Sequence, residues 1–103
     1  MREETRQKIQ GTIDANRVVL FMKGTRNFPQ CGFSARVVEA LGRVGVGFKD
    51  VNVLADPELR DGLKEFSSWP TFPQLYVKGK LVGGADIVTE LEQRGELAQI
   101  VQG

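Results

Sequence analysis

The sequence predicts an α/β fold, a four-stranded mixed sheet flanked by helices on both faces, and three observations predict it. Val18-Val19-Leu20-Phe21-Met22 is a continuous apolar run bounded by Lys23-Gly24, the pattern of a strand covered on both sides. Stretches of helical spacing alternate with short strand-like runs ahead of residue 70, and two strands joined by a helix lie parallel with a right-handed crossover. Near the end, Leu75-Tyr76-Val77, a Lys78-Gly79-Lys80 turn and Leu81-Val82 read as an antiparallel hairpin. At roughly 100 to 200 residues per domain, a chain of 103 residues is a single domain spanning 1–103.

The elements follow in order. From about Glu3 to Asn16, Ile9 and Ile13 fall at i, i+4 in a polar background, a helix with a narrow buried stripe that Gly11 weakens. Arg17 to Met22 is the first strand. From Ser34 to Val44, the positions Val37, Val38, Leu41 and Val44 form one helical stripe, which Gly45-Val46-Gly47 ends. Phe48, Val51 and Val53 mark a second short strand. Asp56 is placed to cap the next helix, with Pro57 in its first turn and Glu58 complementing the dipole, and Leu59, Leu63 and Phe66 continue its stripe. Trp69-Pro70-Thr71-Phe72-Pro73 breaks that helix before the hairpin. After Gly83-Gly84, Asp86 is a candidate cap for a helix carrying Ile87, Val88 and Leu91, and Gly95 separates it from a last short helix through Ile100.

Composition excludes several kinds of function. Hydrophobic residues make up 41% and charged residues 26%, ordinary for a globular chain that folds without disulfides. Fourteen Lys and Arg against thirteen Asp and Glu leave a net charge of +1 with the signs interspersed, which argues against nucleic-acid binding and membrane-surface attraction. No apolar run approaches the roughly 20 residues that span a bilayer. The charged start, Met1-Arg2-Glu3-Glu4-Thr5-Arg6, reads as neither a signal peptide nor an arginine-rich transit sequence. There is no histidine, which removes the commonest general base and the histidine-bearing metal sites. There is one cysteine, so no intramolecular disulfide exists and a reducing compartment is expected.

Cys31 is therefore the first candidate for chemistry. It lies between the first strand and the helix beginning near Ser34, where unpaired backbone N–H groups and the positive dipole end favour a thiolate. Lys23 and Arg26 add positive charge. A lone cysteine is often only a small buried hydrophobe, but Pro29-Gln30 and Gly32 place this one in a loop. Dithiol sites carry a second cysteine three residues on, and position 34 is serine. An activated single thiolate then has two roles left, exchange with an outside thiol such as glutathione or ligation of a metal. A [2Fe-2S] cluster usually takes four thiolates. A symmetric dimer of this chain supplies two of them, and a small thiol must bring the rest.

Other residues offer a place for that thiol. Pro73 is a candidate cis proline presenting the Phe72 backbone, after Thr71, as an edge for an extended peptide, against the commoner trans loop. Lys23 and Arg60 can pair with a peptide carboxylate, although each alone reads as a solvated charge. Gly83-Gly84-Ala85-Asp86 opens a helix whose N–H groups bind a carboxylate while Asp86 accepts from an amine; a plain cap is the alternative. Trp69 and Phe28 read as core or rim aromatics, with core the first reading. No nucleotide-binding glycine loop is present.

Met22-Lys23-Gly24-Thr25, Phe28-Pro29-Gln30-Cys31-Gly32-Phe33-Ser34, Trp69-Pro70-Thr71-Phe72-Pro73-Gln74-Leu75-Tyr76 and Gly83-Gly84-Ala85-Asp86-Ile87 together closely resemble the monothiol glutaredoxins of CGFS type, from about Val18 to Val101. The resemblance implies a thioredoxin-like fold and a role in assembling or transferring iron–sulfur clusters. It implies a [2Fe-2S] cluster bridging two subunits, held by Cys31 and a glutathione sulfur from each side. By matching position, Lys23 and Arg60 hold the glycyl carboxylate, Phe72 between Thr71 and the cis Pro73 pairs with the cysteinyl unit, and Ala85 and Asp86 receive the γ-glutamyl end. It further implies a homodimer with the cluster bound and a monomer without it, a BolA-like partner, and apo iron–sulfur proteins as recipients. Two departures stand out. Ala85 replaces the cysteine or serine of many relatives, and Phe66-Ser67-Ser68 replaces the commoner Tyr-Ser-Asn. The Thr25-Arg26 spelling looks more like plastid or cyanobacterial members than mitochondrial ones, which leans the expected location from cytoplasm toward plastid stroma.

The leading expectation is a cluster carrier with at most weak enzymatic turnover. The alternative is a glutathione-dependent thiol–disulfide oxidoreductase working by a monothiol, deglutathionylating mechanism. An inert thioredoxin-like interaction module is the third.

Overall fold

The structure is a computed structural model that describes residues 1–103. In chain order it contains α1 (Glu3–Ala15), β1 (Val18–Met22), α2 (Gly32–Val44), β2 (Lys49–Asn52), a short 3-10 turn (Val53–Ala55), α3 (Pro57–Ser67), β3 (Gln74–Val77), β4 (Lys80–Gly83), α4 (Ala85–Gln93) and α5 (Leu97–Gln102). The strands form one sheet in the order β2-β1-β3-β4. β1 and β2 are parallel, with Met22 opposite Asn52, and β3 runs antiparallel to both β1 and β4. The mixed four-stranded sheet with helices on both faces is as predicted.

The central strand explains the two-sided core. All five residues of β1 are buried. Because side chains alternate along a strand, Val18, Leu20 and Met22 join one apolar cluster with Val37 and Leu41 of α2, Val88 of α4 and Leu97 and Val101 of α5. Val19 and Phe21 enter the opposite cluster with Ile9 and Ile13 of α1 and Leu59 and Leu63 of α3. The unbroken apolar run is thus one strand serving two cores.

Local signals held at most boundaries. Asp56 caps α3, its carboxylate accepting the Leu59 N–H at 3.1 Å, and Pro57 opens the helix. Gly45, with φ +83, closes α2 in the left-handed conformation. Lys78 and Gly79 both have positive φ, the geometry of a two-residue hairpin turn. Three boundaries differ. α2 begins at Gly32 rather than Ser34, which makes Cys31 its N-cap residue. Phe48 precedes β2 and Val53 follows it into the 3-10 turn. Asp86 does not cap α4: Gly84 is the N-cap and Asp86 sits in the first turn, where its charge suits the dipole.

Candidate functional site

Strand direction decides what meets at the site. β1, β2 and β4 end at the edge of the sheet where β3 begins, as the pairings Met22 with Asn52, Phe21 with Gln74 and Leu75 with Gly83 require. The loop after β1 carries Lys23 and Cys31, the segment after β2 leads to α3 with Arg60, the turn into β3 carries Thr71, Phe72 and Pro73, and the turn out of β4 carries Ala85 and Asp86. All eight of these predicted residues line one cleft of about 440 Å³.

Cys31 lines the cleft, partly exposed and in the free thiol form. Its thiol is held below its ordinary value chiefly by the Ser34 backbone N–H at the start of α2, against the opposing effect of burial. The Phe33 N–H, the Lys23 charge and the Ser34 hydroxyl add smaller contributions. Ser34 is fully buried, and its Oγ accepts the Lys23 backbone N–H at 3.1 Å, tying the end of β1 to the start of α2.

The loop between Lys23 and Cys31 is tightly held. Gly24 has φ +92, and a Cβ there would lie 2.5 Å from the Phe28 carbonyl oxygen and 2.6 Å from the Gln30 nitrogen, so only glycine fits. Its N–H donates to Asn52 Oδ1 at 2.9 Å, and the Gln30 N–H returns to the Lys23 carbonyl at 2.9 Å. Arg26 is not a cleft cation. Its guanidinium stacks 4.0 Å above the Phe48 ring and pairs with Asp50 at 3.1 Å, away from the thiol.

The far wall combines cationic and backbone groups. Arg60 Nε is buried without a hydrogen-bond partner; Asp61 Oδ1 lies 3.5 Å away but is not aligned to accept. The Phe72–Pro73 peptide is cis, as the resemblance implied. Phe72 buries its side chain while its backbone groups make no hydrogen bond within the chain. Gly84 sits where a Cβ would come 3.1 Å from the Pro73 carbonyl oxygen, which lets the two turns touch. The first N–H groups of α4 are free of intrahelical partners, as at every helix start, and Asp86 is almost fully exposed beside them.

Gly84, from the predicted helix opening, also lines the cleft, and five further lining residues carried no ligand-contacting expectation: Phe33, Lys64, Trp69, Pro70 and Ile87. Lys64 was within reach of the sequence, one helical turn beyond Arg60 on the same face. Trp69 is a cleft wall rather than core, with its indole N–H buried and unpartnered. Phe28 is 74% exposed at the loop tip, outside both the core and the cleft.

A four-stranded mixed sheet with an activated single cysteine capping a helix, facing a peptide-like edge across a cationic cleft, defines a monothiol protein of thioredoxin-like fold. Comparison with known proteins carries this further. The Glutaredoxin family model matches residues 18–82. "Probable monothiol glutaredoxin 2" of Rickettsia felis is 58% identical over 95 residues, covering 92% of this chain and 91% of that protein. An "Uncharacterized monothiol glutaredoxin ycf64-like" protein of Synechocystis is 51% identical, covering 99% and 95%. "Monothiol glutaredoxin-5, mitochondrial" of Lachancea kluyveri is 55% identical, covering 96% and 71%. The solution structure of reduced poplar apo GrxS14 superposes with a TM-score of 0.83 at 49% identity, over 94% of this chain and 89% of that one. A buckwheat glutaredoxin–glutathione complex has a TM-score of 0.85 at 24% identity, over 99% and 94%, a likeness of fold. The chain belongs to the glutaredoxin family, in its monothiol branch. These relatives come from rickettsiae, a cyanobacterium and mitochondria, so the Thr25-Arg26 spelling does not single out a plastid type. No helix is long and apolar enough to cross a membrane.

Proposed function

We propose that the chain binds glutathione in the cleft and carries a [2Fe-2S] cluster as cargo between two subunits. The carrying observation is an activated thiol lining the cleft with no second thiol in the chain. A cluster takes four thiolates; two subunits give two Cys31 sulfurs, and two bound glutathiones give the others. Lys23 and Arg60 receive the glycyl carboxylate. The unpartnered Phe72 backbone pairs with the cysteinyl unit, with Thr71 and Pro73 shaping that edge. The N–H groups of Ala85 and Asp86 take the γ-glutamyl carboxylate, and the Asp86 carboxylate takes its amine. Apo iron–sulfur proteins are the recipients. A chain that works as a free thiolate belongs in a reducing compartment.

Anaerobic reconstitution with iron, sulfide and glutathione tests this. The expected product is a coloured dimer that loses its colour and dissociates when glutathione is removed, while Cys31→Ser stays colourless. A wild-type chain that stays colourless and monomeric overturns the reading. A second reading is favoured by the exposure and depressed pKa of the same thiol. In it, Cys31 attacks the glutathione sulfur of a mixed disulfide, releasing the protein thiol, and a second glutathione resolves the adduct to glutathione disulfide. Fast deglutathionylation without cluster retention would favour it.

A further inference from the structure

Gln74 is an unusual residue for its position. It is the first residue of the central strand β3, its side chain is fully buried, and it shares a face with Tyr76 among the apolar side chains between the sheet and α3. A buried amide is costly unless its donors and acceptor are paired. Here all are. Nε2 donates to the Trp69 carbonyl at 3.1 Å and to the Thr71 carbonyl at 3.3 Å, and Oε1 accepts from the Tyr76 hydroxyl at 3.3 Å. Tyr76 is itself held edge-on against Phe21, with ring centroids 5.6 Å apart.

The segment that Gln74 grips has little else to fix its shape. From Trp69 to Pro73 the backbone makes no backbone–backbone hydrogen bond. Its other anchor is Ser67, whose Oγ accepts the Trp69 N–H at 3.0 Å while donating to the Leu63 carbonyl at 2.7 Å. With the carbonyls of Trp69 and Thr71 turned to the Gln74 amide, the backbone groups of Phe72, the next residue along, are left without partners. We propose that Gln74 is a positioning residue, a buried amide clamp that holds the Trp69–Phe72 wall in the shape that pairs with an extended peptide ligand. The proposal rests on the glutathione reading for the identity of that ligand.

The test compares wild type, Gln74→Met, which keeps the volume and loses the amide, Gln74→Asn, whose shorter amide cannot span both carbonyls, and Tyr76→Phe, which leaves both carbonyl hydrogen bonds intact. Glutathione binding is measured by calorimetry at a temperature where each variant is folded. Gln74→Met removes the amide donor from both wall carbonyls and is expected to weaken binding about five- to tenfold; Gln74→Asn weakens it somewhat less, and Tyr76→Phe by less than about twofold. The rate of Cys31 alkylation by iodoacetamide stays within about twofold throughout, because the thiol is set chiefly by the start of α2. Hydrogen exchange of the Trp69 amide speeds up at least about tenfold in Gln74→Met and Gln74→Asn while α2 amides keep their rates. A purely structural glutamine would lower the melting temperature and leave the affinity of the folded protein unchanged. That result, in either Gln74 variant, overturns the proposal. Wild type that fails to bind glutathione overturns the ligand reading instead, and the exchange measurement then decides the clamp alone: unchanged Trp69 exchange refutes it.

Discussion

Replacing Ser34 by alanine separates two jobs that one residue performs. The hydroxyl oxygen is fully buried and accepts the Lys23 backbone N–H at 3.1 Å. Alanine leaves that N–H without an acceptor at the end of the central strand, a loss worth about 1–3 kcal/mol. For a domain of this size each kcal/mol lowers the melting temperature by roughly 4–8 °C, so Ser34→Ala melts roughly 4–24 °C below wild type. The thiol responds differently. The backbone N–H groups of Ser34 and Phe33 and the Lys23 charge all remain, and the hydroxyl is the smallest of the named contributions. The thiol therefore stays below the free-cysteine value of about 8.5, rising by only a small part of its displacement. Urea or thermal melts give the first quantity and the pH dependence of iodoacetamide alkylation gives the second. A variant as stable as wild type would refute the hydrogen-bond reasoning. A thiol restored to the ordinary value would show that the side chain, not the helix N-terminus, activates Cys31.

Two more outcomes follow from the same geometry. Ser34→Cys creates a dithiol pair at the start of α2, so mild oxidation removes both free thiols within a monomer, whereas the single thiol of wild type is lost only to mixed or intermolecular disulfides; two titratable thiols surviving oxidation would contradict this. Asp56 has its carboxyl held below the usual range, first by the Lys8 ammonium at 2.8 Å and then by the Leu59 N–H of the cap. Because the folded value lies below the unfolded one, the stability it lends is complete above about pH 4 and is lost as pH falls through the folded value. Asp56→Asn is therefore less stable than wild type near pH 7, with the gap closing on acidification. A gap that is constant between pH 7 and pH 2 would show that the charge plays no part.

The sequence made the elements legible because each carried a local cause. The Val18–Met22 run, the Asp56-Pro57 start and the Lys78-Gly79 turn are decided by residues within a few positions of one another. The activated cysteine was legible on the same ground, since the helix that activates it begins at the next residue. What local reasoning missed depended on distant parts of the chain. Arg26 looked like a cleft cation from its nearness to Cys31 in sequence. Its position is decided by Asp50 and Phe48, which only the parallel pairing of β1 and β2 brings within reach. Trp69 and Phe28 read as core or rim aromatics with core preferred, because large apolar side chains favour burial; one is a cleft wall and the other a loop tip.

The site itself is a product of strand order more than of any motif. Had β3 paired with β2 instead of β1, Thr71–Pro73 would lie beyond the strand end that leads to α3, separated from Cys31 by a strand spacing of about 4.8 Å more. The observed order β2-β1-β3-β4 instead places the start of β3 directly beside the end of β1. Cys31 and the Phe72 edge then face one another across adjacent strands, with the Gly83–Gly84 turn of β4 on the far side and α3 packed on the sheet face through Leu59 and Leu63. That arrangement also explains why a polar residue can be fully buried at the start of β3. Gln74 stands where β3 meets β1, opposite Phe21, directly after the wall segment and first in the ladder. A side chain rooted in the ladder can hold the carbonyls of a loop that has no ladder of its own, so the stiffness of the sheet reaches the one stretch of the cleft that backbone pairing leaves free.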